Sequence, residues 1–336
     1  VSFFKTPKFW YRTQDTPMPL AERILAPFSV LYGMLYHLHQ RTKTRYKSDI
    51  PVICLGNLVA GGTGKTPTAV ALLGLITQHK LAKTPFFLSR GYGGAEMGPI
   101  LVDPKIHTAW DVGDEPLILA QYAPVIVAKD RAEGVKLARA KQADVIIMDD
   151  GLQNPGIAKD LRLLVINGEM GFGNGKLLPA GPLRQPLYQG LGKADGYILI
   201  GEDTRGISPL LHKTKPITHA RIAPSGTARP DKAARYLAFA GLGYPDKFFN
   251  FLKKDMTLDI VECLRFADHY PYADTDITAL KDKAKALNAR LITTEKDLMR
   301  IPSQARTDIE TIQIETLFDE PEALASLLKT VLKSGP

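Results

Sequence analysis

Residues Pro51–Pro67 read PVICLGNLVAGGTGKTP, and this stretch decides the fold. Pro51–Leu55 is a short apolar, β-branched run that predicts a buried strand, and Thr68–His79 predicts a helix. Between them lies a turn of small residues, Gly61, Gly62, Thr63, Gly64, Lys65 and Thr66. A strand, such a turn and a helix form the context in which backbone N–H groups wrap phosphates, helped by the positive end of the helix dipole. Lys65 then bridges β- and γ-phosphates, and Thr66 offers its hydroxyl to Mg²⁺. The pattern departs from the strict GxxxxGK[ST] form, since Val59 stands where the first glycine belongs. The competing reading is a glycine-rich turn with an incidental Gly-Lys-Thr. The flanking elements, and Pro67 in the first helical turn, favour the phosphate loop.

Outward from this loop, apolar runs alternate with helical patterns, the rhythm of a parallel α/β sheet. Further strands are expected at Phe86–Ser89, Val125–Ala128, Val145–Met148, Leu163–Ile166 and Tyr197–Ile200, with a helix at Ala132–Lys141. Their apolar residues do not alternate with polar ones, as expected for strands covered on both faces. Gly168–Arg184 is a Gly/Pro-rich loop of a length that is usually functional or disordered. Pro216–Pro230 reads as a junction. A second α/β unit then begins at Tyr236–Ala240, includes Leu291–Thr293, and closes with Ile309–Ile314 and a helix ending near Lys333. The expected architecture is an N-terminal segment (1–48) attached to a P-loop NTPase-like parallel-sheet domain (49–228), followed by a smaller α/β domain (229–336).

Val145–Asp150 resembles a Walker B strand, which delivers acids at its C-terminal end, where open parallel sheets bind ligands. Asp149 and Asp150 are therefore candidate metal-holding groups beside Thr66, although an Asp-Asp-Gly turn has an ordinary structural use. Asp114 and Glu115 either open a helix or place a carboxylate on a hydroxyl acceptor. His269, after Asp268, is either a base or relay or a structural histidine. Arg90 and Arg131 each follow a strand and suit a polyanion site, or else sit in plain loops.

The region Ile24–Tyr36 is strongly apolar at helical spacing through Ile24, Leu25, Phe28, Leu31, Tyr32, Leu35 and Tyr36. Ser29, Gly33, His37 and Gln40 lie opposite. Pro27 is acceptable in a first turn or at a kink. The stretch is too short to span a bilayer. It reads either as a core helix or as one lying in a membrane interface. The basic cluster Arg41, Lys43, Arg45 and Lys47 favours the second, since each such charge adds roughly 1 kcal/mol near an anionic leaflet. The net charge of +8 favours anionic partners in general. No zinc knuckle, RNP signature or aromatic stripe supports nucleic acid among them. Cys54 and Cys263 form no metal or disulfide pattern.

Taken in order, GNLVAGGTGKTP (Gly56–Pro67), SRGYGG (Ser89–Gly94), GDEP (Gly113–Pro116), AKDR (Ala128–Arg131), MDDGLQ (Met148–Gln153), GNGKLLPAGPLR (Gly173–Arg184), FADHY (Phe266–Tyr270) and TTEKD (Thr293–Asp297) resemble the tetraacyldisaccharide 4′-kinases. The resemblance covers nearly the whole chain, N-terminal helix included. It implies Mg²⁺-dependent transfer of the ATP γ-phosphate to the 4′-hydroxyl of a tetraacylated glucosamine disaccharide 1-phosphate, a lipid A precursor. The site of action it implies is the anionic cytoplasmic face of an inner membrane, to which the protein binds peripherally. It also implies that Asp114 acts as base with support from His269, that Lys65 and Thr66 serve the phosphates and metal, and that Asp149 and Asp150 are metal-associated. Arg131 and Arg184 match basic positions near phosphate or substrate. Tyr270 stands where many relatives carry a second histidine. The rival enzymatic reading is a P-loop ATPase or GTPase switch at the membrane surface. Thr294-Glu295-Lys296-Asp297 does not supply the guanine-reading Asn-Lys-x-Asp spacing such a GTPase uses.

Overall fold

A computed structural model describes residues 6–12, 17–42, 45–226 and 230–333; Lys43 of the basic cluster lies outside them. A long helix, α1 (Leu20–Thr42), comes first. It is followed by β1 (Val52–Gly56), α2 (Lys65–Gln78), β2 (Pro85–Ser89), β3 (Ile100–Leu101), α3 (Ala109–Val112) and α4 (Asp114–Leu119). Then come β4 (Val125–Val127), α5 (Arg131–Ala140), β5 (Val145–Asp149), β6 (Leu161–Asn167), α6 (Leu187–Lys193), β7 (Gly196–Ile200) and β8 (Ile217–Pro224). The remainder is β9 (Arg235–Ala240), α7 (Pro245–Asn250), β10 (Asp259–Arg265), α8 (Asp274–Ala286), β11 (Arg290–Thr294), α9 (Glu295–Arg300), β12 (Ile309–Ile312), β13 (Ile314–Phe318) and α10 (Pro321–Lys333).

The strands form a nine-stranded sheet, ordered β13-β8-β7-β6-β1-β5-β2-β4-β3, and a parallel four-stranded sheet, ordered β10-β9-β11-β12. Inside the large sheet neighbours run parallel, and only the edge strands β3 and β13 are antiparallel. β1 and β5 are buried along their whole length, because helices and loops cover both faces. One apolar layer includes Leu58, Met148 and Tyr197, and the other includes Leu72, Ile147 and Leu328. The β1–β5 register pairs Leu55 with Asp149. The strand carrying the acid therefore ends level with the strand that feeds the phosphate loop.

Three expectations change on folding. Ile309–Ile314 is not one strand: it breaks at Gln313 into β12, on the small sheet, and β13, which pairs antiparallel with β8 on the large one. Leu324 and Leu328 of α10 are buried in the layer around α2, so the C-terminal segment returns to the first sheet. A β-branched run suits either sheet, and only pairing chooses between them. The expected junction Pro216–Pro230 contains β8, whose Thr218 and Ala220 are buried while His219 and Arg221 are exposed; residues 227–229 lie outside those described.

The third change concerns α1. It extends beyond Ile24–Tyr36 and runs through Pro27 without ending there. Its polar side faces the protein. Ser29 donates to Leu177 O at 2.8 Å, Tyr36 to Gln185 Oε1 at 2.8 Å, and Gln40 Nε2 to Gln153 O at 2.8 Å. Glu22 is completely buried and held by Arg12 (2.7 Å) and Lys176 (2.9 Å). Tyr32 and Tyr36 join this inner side through their hydroxyls, although their rings read as part of the apolar face. Leu20, Ile24, Phe28, Leu31, Leu35 and Leu38 are each more than half exposed. No helix among the described residues is long and apolar enough to cross a membrane.

Candidate active site

Gly64 holds the left-handed conformation, φ +89°, that turns the chain from the phosphate loop into α2, a geometry that favours glycine. Lys65 and Thr66 open the helix, and Pro67 sits in its first turn, where a missing N–H costs no helical bond. Asn57 braces the loop from inside: its amide donates to Val59 O (2.9 Å) and Thr63 Oγ1 (3.1 Å). Ala60 N donates to Pro182 O at 2.8 Å, tying the loop to the Gly173–Arg184 segment.

The two acids after β5 behave differently. Asp149 is buried, with Oδ2 3.5 Å from Thr66 Oγ1 and Oδ1 lacking a hydrogen-bond partner among the described residues. Burial, reinforced by the charge of Glu115, pushes its carboxyl up to about 7. Asp150, at φ +55°, accepts from Arg184 Nη1 at 2.8 and 2.9 Å and lies 3.9 Å from Lys65 Nζ. Burial alone would raise it, but Lys65 and Arg184 outweigh that and hold it at about 2. An orphaned carboxylate oxygen beside a threonine hydroxyl is the donor set a Mg²⁺ ion takes when nucleotide phosphates supply its other oxygens. A divalent charge there would also remove the reason for Asp149 to hold a proton. The residues present therefore fit the metal. Among the described residues no cluster of three or more His, Cys, Asp or Glu forms a self-sufficient cation site.

Asp114 and His269 come from different sheets and meet. Gly113, at φ +89° and packed so closely on Tyr92 that a Cβ would lie 2.5 Å from its carbonyl oxygen, delivers Asp114 at the start of α4. Asp114 is 2% exposed. Its Oδ2 accepts from Arg300 Nε at 2.9 Å and lies 3.4 Å from His269 Nδ1. Burial pushes the Asp114 carboxyl up, yet the His269 hydrogen bond and the charges of Lys296 and Arg300 bring it well below the carboxylate range. Burial alone would lower the His269 imidazole, but Asp114, then Asp268, leaves it raised. His269 is also left-handed, at φ +56°, and its ring packs against that of Tyr92, centroids 5.3 Å apart and planes tilted by 60°. Glu115 accepts from Lys296 Nζ at 2.5 Å. Helix α4 packs on α2, and Glu115 raises while Lys296 lowers the Asp149 carboxyl, so this corner adjoins the phosphate loop.

Arg90 is exposed at the sheet edge. Arg131 is buried instead: its Nη1 donates to Ala128 O at 2.6 Å, and its charge reaches the site by helping to hold Asp150 down. The side chains that sequence reasoning left without a role are Asn57, Tyr92, Lys296 and Arg300. Lys296 and Arg300 stand four apart on α9, so a shared helix face was legible, but not that this face meets α4.

A nucleotide-phosphate loop at the end of one sheet, faced by a carboxylate–imidazole pair that the second sheet completes, defines a P-loop phosphotransferase. The sequence profile described as Tetraacyldisaccharide-1-P 4′-kinase matches residues 21–333. The tetraacyldisaccharide 4′-kinase of Rhodospirillum centenum is 43% identical over 329 residues, 98% of this chain and 97% of its own. That of Rhodospirillum rubrum is 40% identical over 332 residues, 98% of each chain. The crystal structure of an "apo" form of LpxK from Aquifex aeolicus in complex with ATP superposes with a TM-score of 0.76 at 26% identity, covering 93% of this chain and all of that one. This chain belongs to the tetraacyldisaccharide-1-P 4′-kinase family. Membership sets aside the reading as a nucleotide-driven switch.

Proposed function

We propose that the protein transfers the γ-phosphate of ATP to the 4′-hydroxyl of a tetraacylated glucosamine disaccharide 1-phosphate. The observation that carries the acceptor step is the meeting of Asp114 and His269 beside the phosphate loop. Backbone N–H groups of Gly61–Gly64 and the α2 N-terminus hold the phosphates, and Lys65 leaves Asp150 for the β- and γ-oxygens. Thr66 and Asp149 would hold Mg²⁺, with Asp150 behind them, and the bound metal would neutralise charge on the transferring group. Asp114 acts as base toward the acceptor hydroxyl with support from neutral His269, which takes the proton directly or through Asp114. Arg300 and Lys296 keep Asp114 ionised, and Lys296 also holds Glu115 in place. Arg184 and Arg90 lie where an anionic acceptor approaches, and Arg131 supports the site from behind.

The face of α1 turned to solvent supports peripheral attachment to an anionic membrane, with Arg41, Arg45 and Lys47 at its C-terminal end facing headgroups. An ATP donor and a lipid A precursor as acceptor are consistent with the cytoplasmic leaflet of an inner membrane. The two sheets correspond to two domains that move together around nucleotide, the smaller running from β9 to β12.

A transfer assay with γ-labelled ATP and the lipid disaccharide 1-phosphate tests this reading. Label is expected on the 4′-oxygen only when acceptor is present, and Lys65→Ala is expected to lower kcat by about 10²-fold or more. Nucleotide hydrolysis that ignores the acceptor would sink the proposal.

A further inference from the structure

A second exposed apolar surface lies beside the acceptor corner, on the chain between β2 and α4. Tyr92, Met97 and Trp110 are 59, 62 and 67% exposed. Exposed aliphatic residues are normal singly, but these stand on one braced flap. Ala95 N donates to Trp110 O and Glu96 N to Asp111 O, both at 2.9 Å. Lys129 N donates to Met97 O at 2.9 Å. Gly94 lies so close to the Asp111–Gly113 backbone that a Cβ would approach to 2.6 Å. The side chains are held outward by a rigid backbone, so their exposure is not that of a loose loop.

We infer that this flap is a second lipid-contacting surface, which seats the Asp114–His269 corner on the hydrocarbon of the bilayer while α1 seats the opposite side. The inference rests on the lipid-kinase reading and extends it. The flap is continuous with the proposed acceptor site: Trp110 precedes Asp114 by four residues, and the Tyr92 ring packs against His269. An acceptor hydroxyl delivered to Asp114 brings its acyl chains past this rim. The Tyr92–Met97 arm of the flap, to which Trp110 is tied, and the loops on which α1 rests, near Gln153, Leu177 and Gln185, follow parallel strands of the same sheet (β2, β5 and β6) and so leave its same edge. Two apolar contacts flanking a site at that edge would fix its orientation, which one helix, able to roll about its axis, does not. Tyr and Trp are the side chains that settle at the headgroup boundary.

The two tryptophans of the chain, Trp10 and Trp110, allow a direct test on the full-length protein. Trp10→Phe leaves Trp110 as sole reporter, and Trp110→Phe leaves Trp10, which is part-buried with its indole N–H on Pro179 O at 3.0 Å. Each variant is mixed with vesicles of phosphatidylcholine and phosphatidylglycerol carrying plain or brominated acyl chains, and bound protein is measured by sedimentation. Trp110 emission is expected to fall about twofold with brominated chains, while Trp10 emission holds, for a surface seated at the acyl boundary. The double change Met97→Ser, Trp110→Ser is expected to raise KM for vesicle-borne acceptor about tenfold. KM for ATP, and for a deacylated soluble acceptor, should be unchanged. Protein that sediments with vesicles while Trp110 is equally bright in both kinds overturns the inference and leaves α1 attachment standing. A dimer abolished by the double change would overturn it too, by giving the surface to a second copy.

Discussion

Three aspartates within one site show how little residue type alone says about charge. Asp150 sits between Lys65 and Arg184 and is held at about 2, Asp149 has burial and Glu115 against it and rises to about 7, and Asp114 is kept ionised by His269, Lys296 and Arg300. The same partnership leaves the His269 imidazole raised. A group whose pKa is raised stays protonated until the pH passes that value. If neutral His269 takes the acceptor proton, kcat should climb with pH through a midpoint above the ordinary histidine range near ~6.5. His269→Gln should lower kcat by about 10²–10⁴-fold and erase that acidic limb, with KM for ATP little changed. A limb that survives the substitution would assign the titration to another group.

At the scale of the element, α1 inverts the usual arrangement of a surface helix. Its hydroxyl, amide and carboxylate groups dock inward, and its leucines and phenylalanine face out. The docking is specific: Tyr32 donates to the carbonyl of Arg184, whose guanidinium holds Asp150. A helix secured by its polar face leaves the apolar one available to hydrocarbon. Phe28→Ser, Leu31→Ser and Leu35→Ser together should weaken vesicle binding at least about 10²-fold, since each loses most of a large side chain's transfer energy. The thermal midpoint of the soluble protein should stay within a few degrees, because more than half of each side chain already faces solvent. A large fall in the midpoint would show that they stabilise the fold instead.

For the whole molecule, the junction between the two sheets is also where the proposed acceptor site lies. Helix α9 of the small sheet packs on α4 of the large one, and the pairs across it are Arg300–Asp114 and Lys296–Glu115. Arg300 also donates to Gly241 O and to Asp297, and Asp297 in turn accepts from Gly241 N and Tyr272, so the arginine is anchored in its own unit before it crosses. Arg300→Gln strands a buried carboxylate and should destabilise the junction by about 3–5 kcal/mol, read as an earlier urea transition. The linked Asp114→Asn, Arg300→Gln variant should recover part of that loss. No recovery would mean that Arg300 acts chiefly through Gly241 and Asp297.

The phosphate loop, the Walker-type strand and the inner strands of the large sheet were legible in sequence because each is decided by neighbours along the chain: unbroken apolar runs, glycine where φ must be positive, acids at a strand end. Asp114 and His269 carried little local signal and acquired meaning only from the ordered motifs around them. What tertiary structure alone decided is relational: β13 and α10 rejoin the first sheet, α1 turns its polar side inward, and Arg300 reaches Asp114 across the junction. Each of these depends on which surfaces meet over long sequence separations. A short amphipathic or β-branched segment satisfies its local preferences equally well in either arrangement, so only the packing of the complete chain separates them.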